Sequence, residues 1–258
     1  MKTHIHLGLL LSLTLILISS CEKENTLKEV DDVCTKMEDS NFMKYCYDNF
    51  DVNKDGKVSM QEAAAAKTID CGRMEITSLK GIEYFNTITE VDCSQNNLTY
   101  LDISKNTQLT TLNCSNNNLT SLDLSNNTQL TILICYSNKL ISLNVSKNTP
   151  LTYLYCSSNN LKTLDVTMNT QLEYFYCSYN NLTTLDVSRN VKLDTFDCSY
   201  NNLTTLDVSK NTNLVSLRCS YNNLTTLDVS KNTNLRVFNI EYNPQKNDRN
   251  IILTGWMR

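Results

Sequence analysis

Histidine is all but missing from this 258-residue chain: its two copies, His4 and His6, both fall within the first six residues. Chemistry that needs an imidazole base, including Ser-His-Asp and Cys-His triads, is thereby excluded from the body of the protein. Glycine (5) and proline (2) are nearly as scarce. No Gly-rich phosphate loop is present, and a turn-rich or low-complexity chain is ruled out. There is no basic run and the net charge is −4, so neither nucleic acid nor an anionic membrane surface is an expected partner. Cysteine (11) and tyrosine (13) are plentiful instead, and their spacing decides what they mean.

The first twenty residues read as a leader. Leu7 to Ile18 is almost wholly apolar, too short for a membrane span of about 20 residues and of signal-peptide length. The run ends in Ile18-Ser19-Ser20-Cys21, which resembles the bacterial lipobox. That resemblance implies removal of residues 1–20 and lipidation of Cys21; an ordinary secretory signal is the alternative. Several acyl chains anchor firmly, since each buried methylene contributes about 0.8 kcal/mol. Residues 21–30 are polar and read as a tether.

From Cys93 onward the chain repeats without insertions. Cysteine recurs every 21 residues at Cys93, Cys114, Cys135, Cys156, Cys177, Cys198 and Cys219; Ile240 holds the next place and Cys71 precedes the run by 22. One turn, residues 109–129, reads LTTLNCSNNNLTSLDLSNNTQ and is apolar at Leu109, Leu112, Cys114, Leu119, Leu122 and Leu124. This is the leucine-rich pattern LxxLxLxxNxL with cysteine in the third apolar place. The stretch Leu112-Asn113-Cys114 alternates with the period of a strand, and successive turns would stack such strands in parallel about 4.8 Å apart. No turn buries its apolar face alone. The expected fold is therefore a leucine-rich-repeat solenoid over residues 68–243 with parallel short strands. A helical cap over 31–67 covers one end. Residues 244–258, with Ile251, Ile252, Leu253 and Trp256, cover the other.

Two asparagine columns accompany the repeat, one from Asn96 to Asn243 and one from Asn106 to Asn232. Pointing inward, each side chain would donate to and accept from turn groups that have no ladder partner. The cysteine column reads as packing. Stacked thiols point the same way, whereas a disulfide needs Cβ atoms about 3.8 Å apart and turned together. A line of thiols also makes no tetrahedral metal cage, so free, buried, hydrophobe-like cysteines are expected.

Residues 51–62 read DVNKDGKVSMQE, the twelve-residue pattern of an EF-hand calcium loop. Asp51, Asn53 and Asp55 would supply oxygens, Lys57 its backbone carbonyl, Ser59 a water-mediated contact and Glu62 a bidentate carboxylate, with Gly56 at the sharp turn. Calcium is the expected cofactor. Phe42, Cys46 and Phe50 recur every four residues, so a helix is expected over 41–50; an alanine-rich one is expected over 62–67. A lone loop beside the first repeat is expected to stiffen the cap and not to sense a signal. Cys34 and Cys46 stand outside the column, and an exported chain favours disulfides; they are expected to pair, with free thiols as the alternative.

The run LKGIEYFNTITEVDCSQNNL at residues 79–98, followed by the cysteine-bearing turns, resembles the internalins of surface-attached bacteria over roughly residues 68–243. The resemblance implies a right-handed, curved solenoid whose concave strand face recognises a partner. The lipobox in place of a wall-sorting signal and the calcium loop depart from that family's usual members. They are similar instead to lipoproteins of Bacteroides-like bacteria, which implies a Gram-negative cell envelope.

Partner recognition is expected where the exposed strand positions turn apolar. In the middle turns these are Ile132, Ile134, Tyr136, Tyr153, Tyr155, Tyr174 and Tyr176; elsewhere they are polar, as at Asp92, Thr111, Asn113, Asp197 and Arg218. Tyrosine buries area while keeping a polar tip, so this patch reads as a contact site. A second column, Tyr179, Tyr200, Tyr221 and Tyr242, reads as self-supporting. The aspartates Asp102, Asp123, Asp165, Asp186, Asp207 and Asp228, with Lys105, Lys147, Arg189, Lys210 and Lys231 three residues after column positions, read as a solvated face. The expected function is a monomeric, lipid-anchored binding protein for a protein partner, with a glycan ligand or a purely structural scaffold as alternatives. No catalysis is expected, because a uniform repeat rarely provides a cleft with perturbed groups.

Overall fold

The structure, a computed structural model, describes residues 31–243 and 252–254. The leader, Cys21, the tether and most of 244–258, including Trp256, lie outside the described residues. Each 21-residue turn contributes one three-residue strand: β1 (Thr68–Asp70), β2 (Glu90–Asp92), β3 (Thr111–Asn113), β4 (Ile132–Ile134), β5 (Tyr153–Tyr155), β6 (Tyr174–Tyr176), β7 (Thr195–Asp197), β8 (Ser216–Arg218) and β10 (Val237–Asn239). These strands form a nine-stranded parallel sheet in sequence order. The pairing carries no register slip: Leu112 faces Leu133, and Leu133 faces Leu154. Two further strands, β9 (Thr226–Asp228) and β11 (Ile252–Thr254), pair in parallel outside that sheet.

The strands are short because a left-handed residue follows each one. Gln95, Asn116, Ser137, Ser158, Tyr179, Tyr200, Tyr221 and Tyr242 all hold φ between 52° and 58°. One residue in this region breaks the extended run and sends the chain inward. The apolar column then fills the interior: Leu109, Leu112, Cys114, Leu119, Leu122 and Leu124 are all buried, as are most of their equivalents in the turns that follow, with Leu185 and, in the last turn, Leu235, Phe238 and Ile240 partly buried. Phe175 and Phe196, stacked 5.3 Å apart, replace leucine in two turns. One continuous core runs from Val33 to Val229, so cap and repeats share a single interior. Cys71 belongs to the column, since its amide donates to Asp92 O at 2.8 Å as each later cysteine amide does to the next turn.

The two asparagine columns differ from each other. In the first, Asn159 Nδ2 donates to Cys135 O, Cys156 O and Ser157 O at 3.0, 3.1 and 3.2 Å, and Oδ1 accepts from Leu140 N at 3.0 Å. Both ends are satisfied, as expected. In the second, Asn127 Nδ2 donates to Ile103 O and Asn106 O at 3.0 and 2.9 Å, but its Oδ1 is buried without a partner. The same holds at Asn106, Asn148, Asn169, Asn190, Asn211 and Asn232. The nearby amides explain this: Asn127 N and Leu130 N are already committed to backbone carbonyls. This column donates and does not accept.

The N-terminal cap comprises a 3-10 turn at Val33–Lys36, α1 (Ser40–Phe50) and α2 (Met60–Ala65). Asp39 caps α1 by accepting from Asn41 N and Phe42 N. Its other oxygen accepts from Thr77 N and Thr77 Oγ1, both at 2.7 Å, tying the cap to the first turn. Tyr45 closes the sheet edge, its hydroxyl accepting from Asp70 N at 2.8 Å. An edge strand left open offers itself to other chains, and this contact removes one such donor. Phe50 packs on Phe85 with ring centres 4.9 Å apart. Helix α2 lies two residues earlier than the alanine run indicates, because Ser59 and Glu62 form a reciprocal capping box that starts it at Met60.

Candidate functional site

Alternation places the first and third residues of β4, β5 and β6 on the outside of the sheet. In β4, β5 and β6 the middle residues Leu133, Leu154 and Phe175 are fully buried, while Ile132, Ile134, Tyr153, Tyr155 and Tyr176 are half-buried and Tyr174 is 39% exposed. Tyr136 follows β4 and is also half-buried. The structure thus brings all seven sequence-predicted contact residues onto one face. Their rings touch in two rows: Tyr136, Tyr155 and Tyr176 at 4.6 and 5.0 Å, and Tyr153 with Tyr174 at 5.7 Å. A contact of 5.8 Å between Tyr153 and Tyr176 joins the rows. Interplanar angles of 31° to 42° leave the rings tilted, so part of each face stays open outward. Partial burial pushes the phenols of Tyr153, Tyr155 and Tyr176 above their ordinary range, which keeps them neutral donors.

The edge column behaves otherwise. Tyr179, Tyr200, Tyr221 and Tyr242 stack at 4.0, 4.1 and 4.2 Å with angles of 10° to 15°. Each inner ring, Tyr200 and Tyr221, is stacked on both faces, while the end rings Tyr179 and Tyr242 are 53% and 67% exposed. All four also occupy the left-handed turn position, unusual for a bulky residue, and ring stacking offsets that strain. A self-supporting ladder accounts for them.

The cysteine column is one of free thiols, buried throughout. Burial pushes Cys114, Cys156 and Cys219 up to about 12, far from the thiolate that redox or metal chemistry requires. Cys34 and Cys46 are likewise free and buried in this structure, not the bonded pair expected. Interaction with the Cys34 thiol, together with burial, drives the Cys46 thiol far upward. The aspartate column also gains a role that sequence missed. Asp102, Asp123, Asp165, Asp186, Asp207 and Asp228 each accept from the amide two residues on, at 2.8 to 2.9 Å. Asn144 does the same at 3.0 Å. A side chain bonded to its own turn is a local staple, and amide donation holds the Asp102 carboxyl below the usual range.

The loop between α1 and α2 turns its oxygens inward. Asp51 accepts from Asp55 N and Gly56 N at 3.1 and 3.0 Å, and Asp55 from Lys57 N at 3.0 Å. Asn53 Oδ1 accepts from Asp55 N at 2.9 Å. Glu62 reaches back from α2, accepting from Val52 N at 3.0 Å with one oxygen and from Ser59 N and Ser59 Oγ with the other. Gly56 sits at φ 83°, where a side chain would be strained. No three carboxylate, thiol or imidazole groups among the described residues already meet at one point. The oxygens of Asp51, Asp55 and Glu62 accept from backbone amides of the loop, and none of the three joins an ion pair among the described residues, while Lys57 pairs with Asp31. Ser59 is committed to its helix.

A cleft of about 620 Å³ lies elsewhere, where the cap meets the first turns. It is lined by Glu38, Lys80, Tyr100 and Lys105 among others. Its Lys80 pairs with Glu38, and none of the sequence-predicted site residues enters it. Among the described residues no helix is long and apolar enough to cross a membrane.

No family model matches the chain. A stretch of 69 residues, 27% of this chain, is 41% identical to internalin J of Listeria monocytogenes and covers 8% of that protein. The solved functional domain of the Listeria protein, which includes a cysteine ladder, matches over 83% of this chain at 40% identity with a TM-score of 0.80. This chain spans about half of that domain, 48% of its length. Listeria internalin C2 matches at a TM-score of 0.72 and 18% identity, over 81% of this chain and 96% of the other. The leucine-rich-repeat ectodomain of an Arabidopsis receptor kinase, solved with CASPARIAN STRIP INTEGRITY FACTOR 2, matches at 0.65 and 23%, over 70% of this chain and 25% of the other. The last two matches show the fold alone. The protein has an internalin J-like leucine-rich-repeat fold with a cysteine ladder, a build that generally serves as a scaffold for protein interaction.

Proposed function

We propose that this is a non-catalytic binding protein that engages a protein partner through the tyrosine centre of its strand face. The observation that carries the reading is the patch itself. Five mutually touching tyrosines and two isoleucines occupy positions that are polar in the flanking turns, on a sheet face that no other described element covers. A repeat needs only polar residues there, and large half-exposed aromatics on a rigid sheet are what interfaces use. Cys21 is proposed to carry a lipid that holds the chain at a bacterial cell envelope. A Cys21→Ser chain should leave the detergent phase for the aqueous one; equal partitioning of both would remove the anchor. The loop of Asp51, Asn53, Asp55, Lys57, Ser59 and Glu62 is proposed to take calcium as a stiffener of the cap.

The partner reading is tested by screening the purified chain against arrays of envelope and host proteins and of glycans. The control is the Tyr153→Ser, Tyr155→Ser, Tyr174→Ser variant, whose circular dichroism should match the parent because the changed side chains are partly exposed. A protein ligand held by the parent and lost by the variant is the expected result. Ligands found on the glycan array alone would replace protein with carbohydrate, for which tyrosine platforms are also suited. A ligand held equally by both chains would remove the face as the site.

A further inference from the structure

From β2 to β7 the strand face carries charge of one sign only. There the outward places lie four, three and one before each cysteine and one after it. No lysine or arginine occupies any of them. Five carboxylates do: Glu90, Asp92, Glu173, Asp194 and Asp197. The last three adjoin the tyrosines. Glu173 precedes Tyr174, Asp194 N donates to Glu173 O at 2.9 Å, and Asp197 is the direct neighbour of Tyr176 across the β6–β7 pair. Glu173 is exposed, and Asp194 and Asp197 are half-buried. None of the five joins an ion pair, while the three ion pairs among the described residues all lie in or beside the cap. Outside β2 to β7, cations stand at the same places at Lys67, four before Cys71, at Arg218, the register neighbour of Asp197, and at Arg236.

An aromatic patch bordered by unpaired carboxylates has an evident complement. Tilted rings expose electron-rich faces that attract a cation within about 6 Å of the ring centre. The carboxylates add the charge that desolvation of such a cation would otherwise leave unmet. Guanidinium suits the combination best, because its plane stacks on a ring while its edge donates to a carboxylate. We infer that the occupant of this face is a partner segment bearing arginine or lysine side chains, which lie on Tyr155, Tyr174 and Tyr176 with their charges at Glu173, Asp194 and Asp197. The inference rests on the face being the binding site and adds the chemistry of what binds.

The probe is a fluorescein-labelled octapeptide alternating arginine and serine, with a glutamate-serine counterpart, read by anisotropy against the full chain. The arginine peptide should bind and the glutamate peptide should not. Raising salt from about 20 mM to about 300 mM should weaken the arginine complex, since exposed charges are screened within about a Debye length. The Glu173→Gln, Asp194→Asn, Asp197→Asn chain keeps its hydrogen-bond acceptors and should lose about tenfold or more in affinity; the Tyr153, Tyr155, Tyr174 variant should lose as much. Tyr200→Ser, in the edge ladder, should change nothing. Equal affinity for the two peptides, or an arginine affinity untouched by the carboxamide changes in a chain of unaltered melting temperature, overturns the inference. If that happens while an array ligand is still lost with the three tyrosines, the face stands as the site and only its charge preference falls. If the array ligand ignores the tyrosines, the face itself falls.

Discussion

Replacing Asn159 by leucine should destabilise the solenoid by about 4 kcal/mol, although volume and burial barely change. The side chain sits in a closed set of bonds: its amide nitrogen serves Cys135 O, Cys156 O and Ser157 O, and its oxygen serves Leu140 N. The two carbonyls of the cysteine column keep a second donor, Asn138 for Cys135 O and Asn180 for Cys156 O. Leu140 N keeps none. An orphaned buried amide costs about 1–3 kcal/mol, and the lost bonds to carbonyl oxygens about 1 kcal/mol each. The neighbouring Asn160 is exposed, and only its backbone is committed, to Leu140 O. Asn160→Leu should therefore stay within about 0.5 kcal/mol. Urea unfolding of the two variants side by side is the measurement. Equal midpoints would mean that the column is not what holds the turns together. Asn127→Leu should cost less than Asn159→Leu, because its Oδ1 has no partner to lose.

The repeat was legible because periodicity is a global property: a column of cysteines at 21-residue spacing leaves one way to stack the turns. Burial of Leu109, Leu112 and Cys114 follows from the same count. The tyrosine face was readable for the same reason, since alternation around a buried cysteine assigns an outside position to Tyr153 and Tyr155. What escaped lies where a residue has two local options or a distant partner. Ser59 and Glu62 match both a calcium loop and a capping box, and the box moves the start of α2 to Met60. Asp39 looks like an ordinary helix cap, yet its second oxygen reaches Thr77, 38 residues away. No local pattern announces that contact. The unpaired oxygens of the second asparagine column were hidden because their satisfaction depends on which amides the adjoining turn has left over. The acidic border of the tyrosine patch was present in the letters, but it becomes a border only once β6 and β7 are known to pair in register.

Calcium should raise the melting temperature of the whole chain, and the reason lies in how the cap is joined to the repeats. The loop of Asp51 to Glu62 sets α1 against α2. Helix α1 in turn supplies Phe42 to the core, Phe50 against Phe85, and Tyr45 to the amide of Asp70 at the sheet edge. In a solenoid each turn leans on its neighbours, so stabilising an end unit is transmitted inward. Without a cation, Asp51, Asp55 and Glu62 hold three negative charges in one loop, shared among its own amides. A bound ion offsets that repulsion. At calcium a hundredfold above Kd, linkage gives about 2.7 kcal/mol. At about 2–4 °C per kcal/mol for a domain of this size, that is a rise of roughly 5–10 °C. Melting curves with millimolar calcium and with a chelator would measure it. Asp51→Ser with Asp55→Ser should abolish the difference while leaving the Ser59–Glu62 box, and hence α2, in place. Glu62 is the wrong residue to change for this purpose, because its loss would uncap α2 whether or not an ion binds. Identical melting in calcium and chelator would reduce the loop to a turn held by its own amides, with the carboxylates serving only as caps.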